Sequence, residues 1–126
     1  MTTRKNSPLQ NLYHYRAVVV SVYDGDTCTV DIDLGLGAWL RGEKVRLMRI
    51  NAPELRGQSK VAGRASRDYL RSVIDGKEIV LQTVKDRKGK YGRYLGEIWV
   101  QQTTSKWLNV NDAMVKTGRA VYRSYE

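Results

Sequence analysis

Two short acidic motifs and two arginines carry the chemistry open to this chain. Asp24-Gly25-Asp26-Thr27 sets two carboxylates around a tight turn, with Asp26 at the head of an alternating run that would hold it in place. Hard cations take several such oxygens, although Asp-Gly is also an ordinary turn dipeptide. Asn51-Ala52-Pro53-Glu54 follows a run rich in β-branched residues, and Pro53 stiffens the chain so that Glu54 is carried at a set angle. Alone, that segment reads equally well as a turn with a solvated Glu. Arg46 has the opposite parity from Val45 and Leu47, so it points out of the core if those two point in. Tyr91-Gly92-Arg93 brings a second arginine beside a glycine that lets the backbone approach a ligand. Either arginine alone reads as a surface ion pair. Together they offer paired planar donors that suit phosphate oxygens and the charge of a phosphoryl transition state.

These residues need rigid elements to bring them together. Ala17 to Val22, Thr27 to Leu34 and Lys44 to Ile50 are strand candidates, with Asp24-Gly25 as a hairpin signal between the first two. The stretch from Gly35 to Gly42 reads as the second connection, with Trp39 and Leu40 packing locally. Ser59 is positioned to cap a helix in which Val61, Ala62, Ala65, Tyr69, Leu70 and Val73 form the apolar face, stopped by Gly76. Ile79 to Val84 and Tyr94 to Val100 are two further strands. Asn109 and Asp112 open a shorter helix that ends at Gly118. Three strands, a helix, two strands and a helix predict an α+β, mainly β, domain: a five-stranded oligonucleotide-binding (OB-fold) barrel with two or three helices.

The chain has 126 residues, 41% of them hydrophobic, which suits one core. Residues 1–12 read as a flexible leader and 13–126 as a single domain, with His14, the sole histidine, near the junction and outside any mechanism. Twenty-two Lys and Arg against thirteen Asp and Glu give a net charge of +9, which favours polyanions such as nucleic acid. Cys28 is the sole cysteine, so no intrachain disulfide or thiolate cluster is open to the chain; the alternation around it makes it a buried, inert strand residue. No apolar signal region or membrane-length stretch is visible, so the chain is expected to be soluble, cytoplasmic by default or secreted if a precursor was processed, and without a membrane partner. Trp39, Trp99 and Trp107 have apolar neighbours and read as core or core-edge aromatics.

Taken together, the order and spacing of DGDT at 24–27, RLMRINAPE at 46–54 and KYGR at 90–93 resemble the staphylococcal nuclease (thermonuclease) family over Tyr15 to Tyr122. The resemblance implies an OB-fold barrel and a calcium-dependent phosphodiesterase that cuts DNA or RNA and leaves 3′-phosphate ends. It places Asp26, the Asn51 side chain and the Ala52 carbonyl at the calcium, with Glu54 acting on the attacking water and touching the metal site through it. Arg46 and Arg93 match the pair that binds the scissile phosphate. Lys90 and Tyr91 match substrate-binding positions, and Tyr122 or Tyr125 falls near a second nucleotide-contacting tyrosine. The residues by themselves would also admit magnesium or manganese. A monomer acting on single-stranded substrate is expected.

Asn51 departs from the family pattern, in which aspartate is usual there. A neutral amide in place of a carboxylate predicts weak calcium affinity, with a dissociation constant of about 10⁻⁴ to 10⁻³ M. Two other readings stay open. A nucleic-acid-binding module without catalysis has no use for Glu54, which would repel phosphate. A purely structural barrel explains the strands but not two acids and two arginines at these positions.

Overall fold

The computed structural model describes residues 12–89 and 91–124, leaving aside the side chains of residues 85–87. Lys90 and Tyr125, and the expected leader apart from Leu12, lie outside the described residues. The chain runs β1 (His14–Asp24), β2 (Thr27–Gly35), β3 (Ala38–Leu47), β4 (Ile50–Asn51), a 3₁₀ turn (Gly57–Ser59), α1 (Lys60–Ile74), β5 (Glu78–Lys88), β6 (Tyr94–Thr103), β7 (Lys106–Asn109), α2 (Val110–Lys116) and β8 (Val121–Tyr122).

The main sheet is ordered β3-β2-β1-β5-β6-β7, and a parallel pairing of β3 with β6 closes its first five strands into a barrel. That is the OB-fold barrel, in an α+β chain. Val19, Val30, Val45, Leu47, Leu81 and Ile98 fill the interior, each at most 1% exposed. Their alternation with polar residues is what commits these runs to a half-buried sheet. Leu70 and Ile74 of α1 and Val110 and Met114 of α2 complete the same core. Cys28 is buried within it, and burial, with Asp24 nearby, pushes its thiol up to about 12. Such a thiol stays protonated and inert.

Several elements depart from the sequence reading. The β2–β3 connection is only Leu36-Gly37, both at positive φ, so Ala38 to Gly42 already belong to β3. Two adjacent left-handed residues match the twist of a hairpin, and a leucine there conceals the turn from anyone looking for Asn-Gly. Trp39 and Trp107, expected at the core or its edge, are 38% and 47% exposed, and Trp39 stacks under Arg41. β7 adds a hairpin strand beyond the barrel, and the short β4 and β8 pair with each other.

α1 shows the clearest difference. Val61, Ala62 and Ala65 are exposed, and the buried face is Gly63, Ser66, Leu70 and Ile74, flanked by Tyr69 and Val73. A Cβ at Gly63 would collide with the Glu54 carbonyl, so the helix lies against loop backbone at its N-terminal end. Small residues mark that close contact, and counting apolar residues cannot detect it. Ser59 does precede the helix, but its hydroxyl makes no cap bond and donates to the carbonyls of Glu54 and Arg56, each at 3.2 Å. α2 follows expectation: the Asn109 side chain accepts from the Asp112 amide at 2.8 Å, and Gly118 follows the last turn at positive φ.

Candidate active site

The site lies where the β1–β2 turn, the end of β3, β4 and the start of β6 meet on the barrel's outer surface. Asp24 Oδ1 accepts from the Asp26 amide at 3.1 Å, tightening the turn. Gly25 between them has no room for a side chain, since a Cβ would sit 2.7 Å from the side chains of both Ala52 and Ser66. The turn is therefore wedged between α1 and the loop that carries Glu54.

Asp26 is 7% exposed, and both of its oxygens have partners. Its Oδ2 accepts from the Ala52 amide at 2.9 Å and lies 3.3 Å from Arg46 Nη2, while Oδ1 accepts from the Thr27 hydroxyl at 3.3 Å. Burial, and then the charge of Asp26, raises the Asp24 carboxyl to about 6. A like charge at low exposure disfavours the ionised form of Asp24, and a nearby cation would relieve that.

Arg46 leaves the barrel wall on the outer face, as its parity predicts, but it is only 7% exposed. Its Nη1 donates to the carbonyls of Leu47 at 2.6 Å and Ile50 at 3.1 Å, and its Nη2 donates to Asn51 Oδ1 at 3.2 Å. The following loop folds back over the guanidinium and covers it. The structure thus brings Asp26, Arg46, Asn51 and the Ala52 backbone together. Arg93 reaches the same place from the residue just before β6, donating from Nη1 to Thr27 Oγ1 at 3.5 Å, with its guanidinium 5.4 Å from the Tyr91 ring centre. Glu54 stands apart from this cluster: its side chain is 73% exposed and lies 3.4 Å from Arg56 Nε. Tyr91 is likewise exposed.

Sequence reasoning missed the residues that support the site from below. Arg49 turns the chain between β3 and β4 at φ +70, a conformation a bulky side chain adopts only when held there. It is held by paired bonds to Glu97 at 2.6 and 2.8 Å and by Asp112 at 3.0 Å, and these acids raise its pKa further. Asn109 donates to Glu97, and the Tyr122 hydroxyl donates to Asp112 at 2.9 Å. Tyr122 is thereby bound into the fold, with the Arg49 guanidinium over its ring. Asn111, fully buried, accepts from the Ile98 amide and donates to the carbonyls of Met48 and Gly96. β8 pairs with β4, placing Val121 opposite Asn51. The one available signal was Arg49 itself, a charge interrupting an apolar run. Asn111 gives no local sign of its role.

Among the described residues no three His, Cys, Asp or Glu side chains converge on one point. The oxygens a metal could take here are those of the Asp26 carboxylate and the Asn51 side-chain amide, both of which lie against Arg46. That donor set fits a hard, oxygen-seeking cation and excludes a thiolate or imidazole site. Chemically, the cluster offers fixed guanidinium charge, oxygens for a cation and an exposed carboxylate nearby.

A family model described as staphylococcal nuclease homologue matches residues 44–126. The endonuclease YhcR of Bacillus subtilis is 30% identical over 115 residues, covering 84% of this chain and 9% of that protein. An uncharacterised protein of Methanocaldococcus jannaschii is 26% identical over 128 residues, 85% of this chain and 58% of the relative. The thermonuclease of Staphylococcus hyicus is 25% identical over 124 residues, 96% of this chain and 67% of the relative. The chain thus spans only part of each.

Proposed function

The chain belongs to the staphylococcal nuclease family, and from that premise we propose that it is a calcium-dependent phosphodiesterase acting on DNA or RNA and leaving 3′-phosphate ends. The observation that carries this reading is the meeting of Arg46 and Arg93 at one strand pair: Thr27 is the register partner of Arg46 and also receives the Arg93 hydrogen bond. Two guanidiniums from separate strands therefore face one small region beside Asp26, an arrangement suited to gripping a single phosphate.

In the proposed reaction the scissile phosphate lies between Arg46 and Arg93, whose donors meet its non-bridging oxygens and match the charge that accumulates during attack. Glu54, on a loop anchored through Ala52 and Ser59, takes a proton from the attacking water. The P–O5′ bond breaks, the 5′-oxygen takes a proton from solvent, and the phosphate stays on the 3′ side. Asp26, Asn51 and the Ala52 carbonyl would hold calcium, which when bound supplies further charge neutralisation at the phosphate. Tyr91 stacks on a base of single-stranded substrate in this reading, which its exposure beside Arg93 supports. Lys90 adjoins it in sequence and is assigned to substrate binding on the family resemblance alone.

A second reading, a module that binds nucleic acid without cutting it, draws support from Arg46 lying against both Asp26 and Asn51, where it competes for the oxygens a cation would take. Cleavage of single-stranded DNA by the purified protein in millimolar calcium separates the two. Cutting should stop with EDTA and fall by about 10² to 10⁴ in Glu54→Gln. Retained binding with no cutting at any calcium level would establish the silent module instead.

A further inference from the structure

The strand register continues the phosphate-binding surface beyond the two arginines. Cross-strand partners share a face of the sheet, so Asp24, Thr27 and Arg46 form one row across β1, β2 and β3. The next row on that face is Ser21, Thr29 and Lys44. The parallel β3–β6 ladder begins at Val45 and Tyr94, and Lys44 and Arg93 each immediately precede that first pair. Lys44 is thus two residues from Arg46 along its own strand and stands at the same end of the seam as Arg93.

Among the nearby cations, Arg41 is paired with Asp31 at 3.1 Å, Lys88 with Glu43 at 3.1 Å and Arg46 with Asp26 at 3.3 Å. Lys44 is exposed and has no carboxylate partner among the described residues, and Thr29 beside it is half-buried. Two residues along a strand span about 6.6 Å, a separation that suits neighbouring phosphates of an extended single strand.

We propose that Lys44, with the Thr29 hydroxyl beside it, binds the phosphate adjacent to the scissile one, so that the substrate strand runs across the outer face of β1–β3. This rests on the nuclease reading for which phosphate is scissile, and a binding experiment tests it without requiring turnover. A labelled single-stranded oligonucleotide is titrated by fluorescence anisotropy against the Glu54→Gln protein, with and without Lys44→Gln, across a salt series. Loss of one phosphate contact should reduce the slope of log affinity against log salt by about 0.7. Oligonucleotides carrying one neutral methylphosphonate at successive positions then locate the contact. The position that cancels the effect of Lys44→Gln should be the immediate neighbour of the one that cancels Arg93→Gln. An unchanged salt slope, or a Lys44→Gln effect insensitive to every single neutral position, would overturn the subsite. Absence of cutting by the parent protein would count against the nuclease reading alone, because the two phosphate positions are still read from binding.

Discussion

The Ala52 amide donates to Asp26 Oδ2 at 2.9 Å, so the loop carrying Glu54 hangs from the carboxylate that is also the strongest candidate for holding a cation. One acid does two things: it offers charge and it sets the position of a residue 28 places further along the chain.

Replacing Asp26 should separate those roles. Asp26→Asn keeps an oxygen for the Ala52 amide, whereas Asp26→Ala does not. Hydrogen exchange at Ala52 should quicken by about tenfold or more in the alanine variant and stay slow in the asparagine variant, while both lose activity, since a bond to a charged acceptor contributes about 1.5 to 3 kcal/mol. Equal exchange rates in both variants would show that the loop is held by other contacts.

Gly63→Ala sets two effects against each other. Alanine is favoured over glycine in a helix by about 1 kcal/mol, but here its methyl would press on the Glu54 carbonyl, which is backbone and cannot swing aside. Overpacking of this kind costs about 1 to 3 kcal/mol, so net destabilisation is expected in urea unfolding, with reduced activity from a displaced Glu54. A more stable protein would mean that the helix shifts away at little cost.

Asn51→Asp adds an anionic oxygen at the candidate cation site and should tighten calcium binding by about an order of magnitude in calorimetry. It also creates a carboxylate at the atom 3.2 Å from Arg46 Nη2. The arginine would be gripped harder, and turnover at saturating calcium should rise less than affinity does. Unchanged calcium affinity would remove Asn51 from the site.

Asp112 makes acid stability a readout of the support beneath the site. Burial opposes its ionisation, but the Tyr122 hydroxyl and Arg49 outweigh that and hold its carboxyl below the usual range. An acid with a depressed folded pKa contributes stability that is fully present above its unfolded value, about 3.9, and is lost as pH falls below that toward the folded value. Urea midpoints should therefore drop for the parent protein between neutral pH and pH about 3. In Asp112→Asn the midpoint at neutral pH should be lower and the acid-dependent decline shallower. Parallel declines would assign the acid sensitivity to other groups.

The barrel was legible because its signals are local and repeated: alternation from Thr27 to Leu34 and the buried parity of Val45 and Leu47 need no knowledge of partners. The acids and arginines were legible as spaced motifs, although only the fold shows Arg46 and Arg93 meeting at Thr27. What escaped was set by contacts distant in sequence. Gly63 and Ser66 face inward because loop backbone lies against them, and Arg46 is covered because the chain folds back through Ile50 and Asn51. Asn111 is one polar residue in a short helix until three backbone segments converge on it.

The parallel pairing of β3 with β6 joins segments almost fifty residues apart, Val45–Leu47 and Tyr94–Gly96, and it is the last seam needed to close the barrel. The two arginines stand on opposite sides of that seam. A chain with every other strand pair formed would still hold them apart, so under the proposed function their joint grip on a phosphate would arise only on closure, and a phosphate bound there would act as a clasp favouring the closed barrel over the open one.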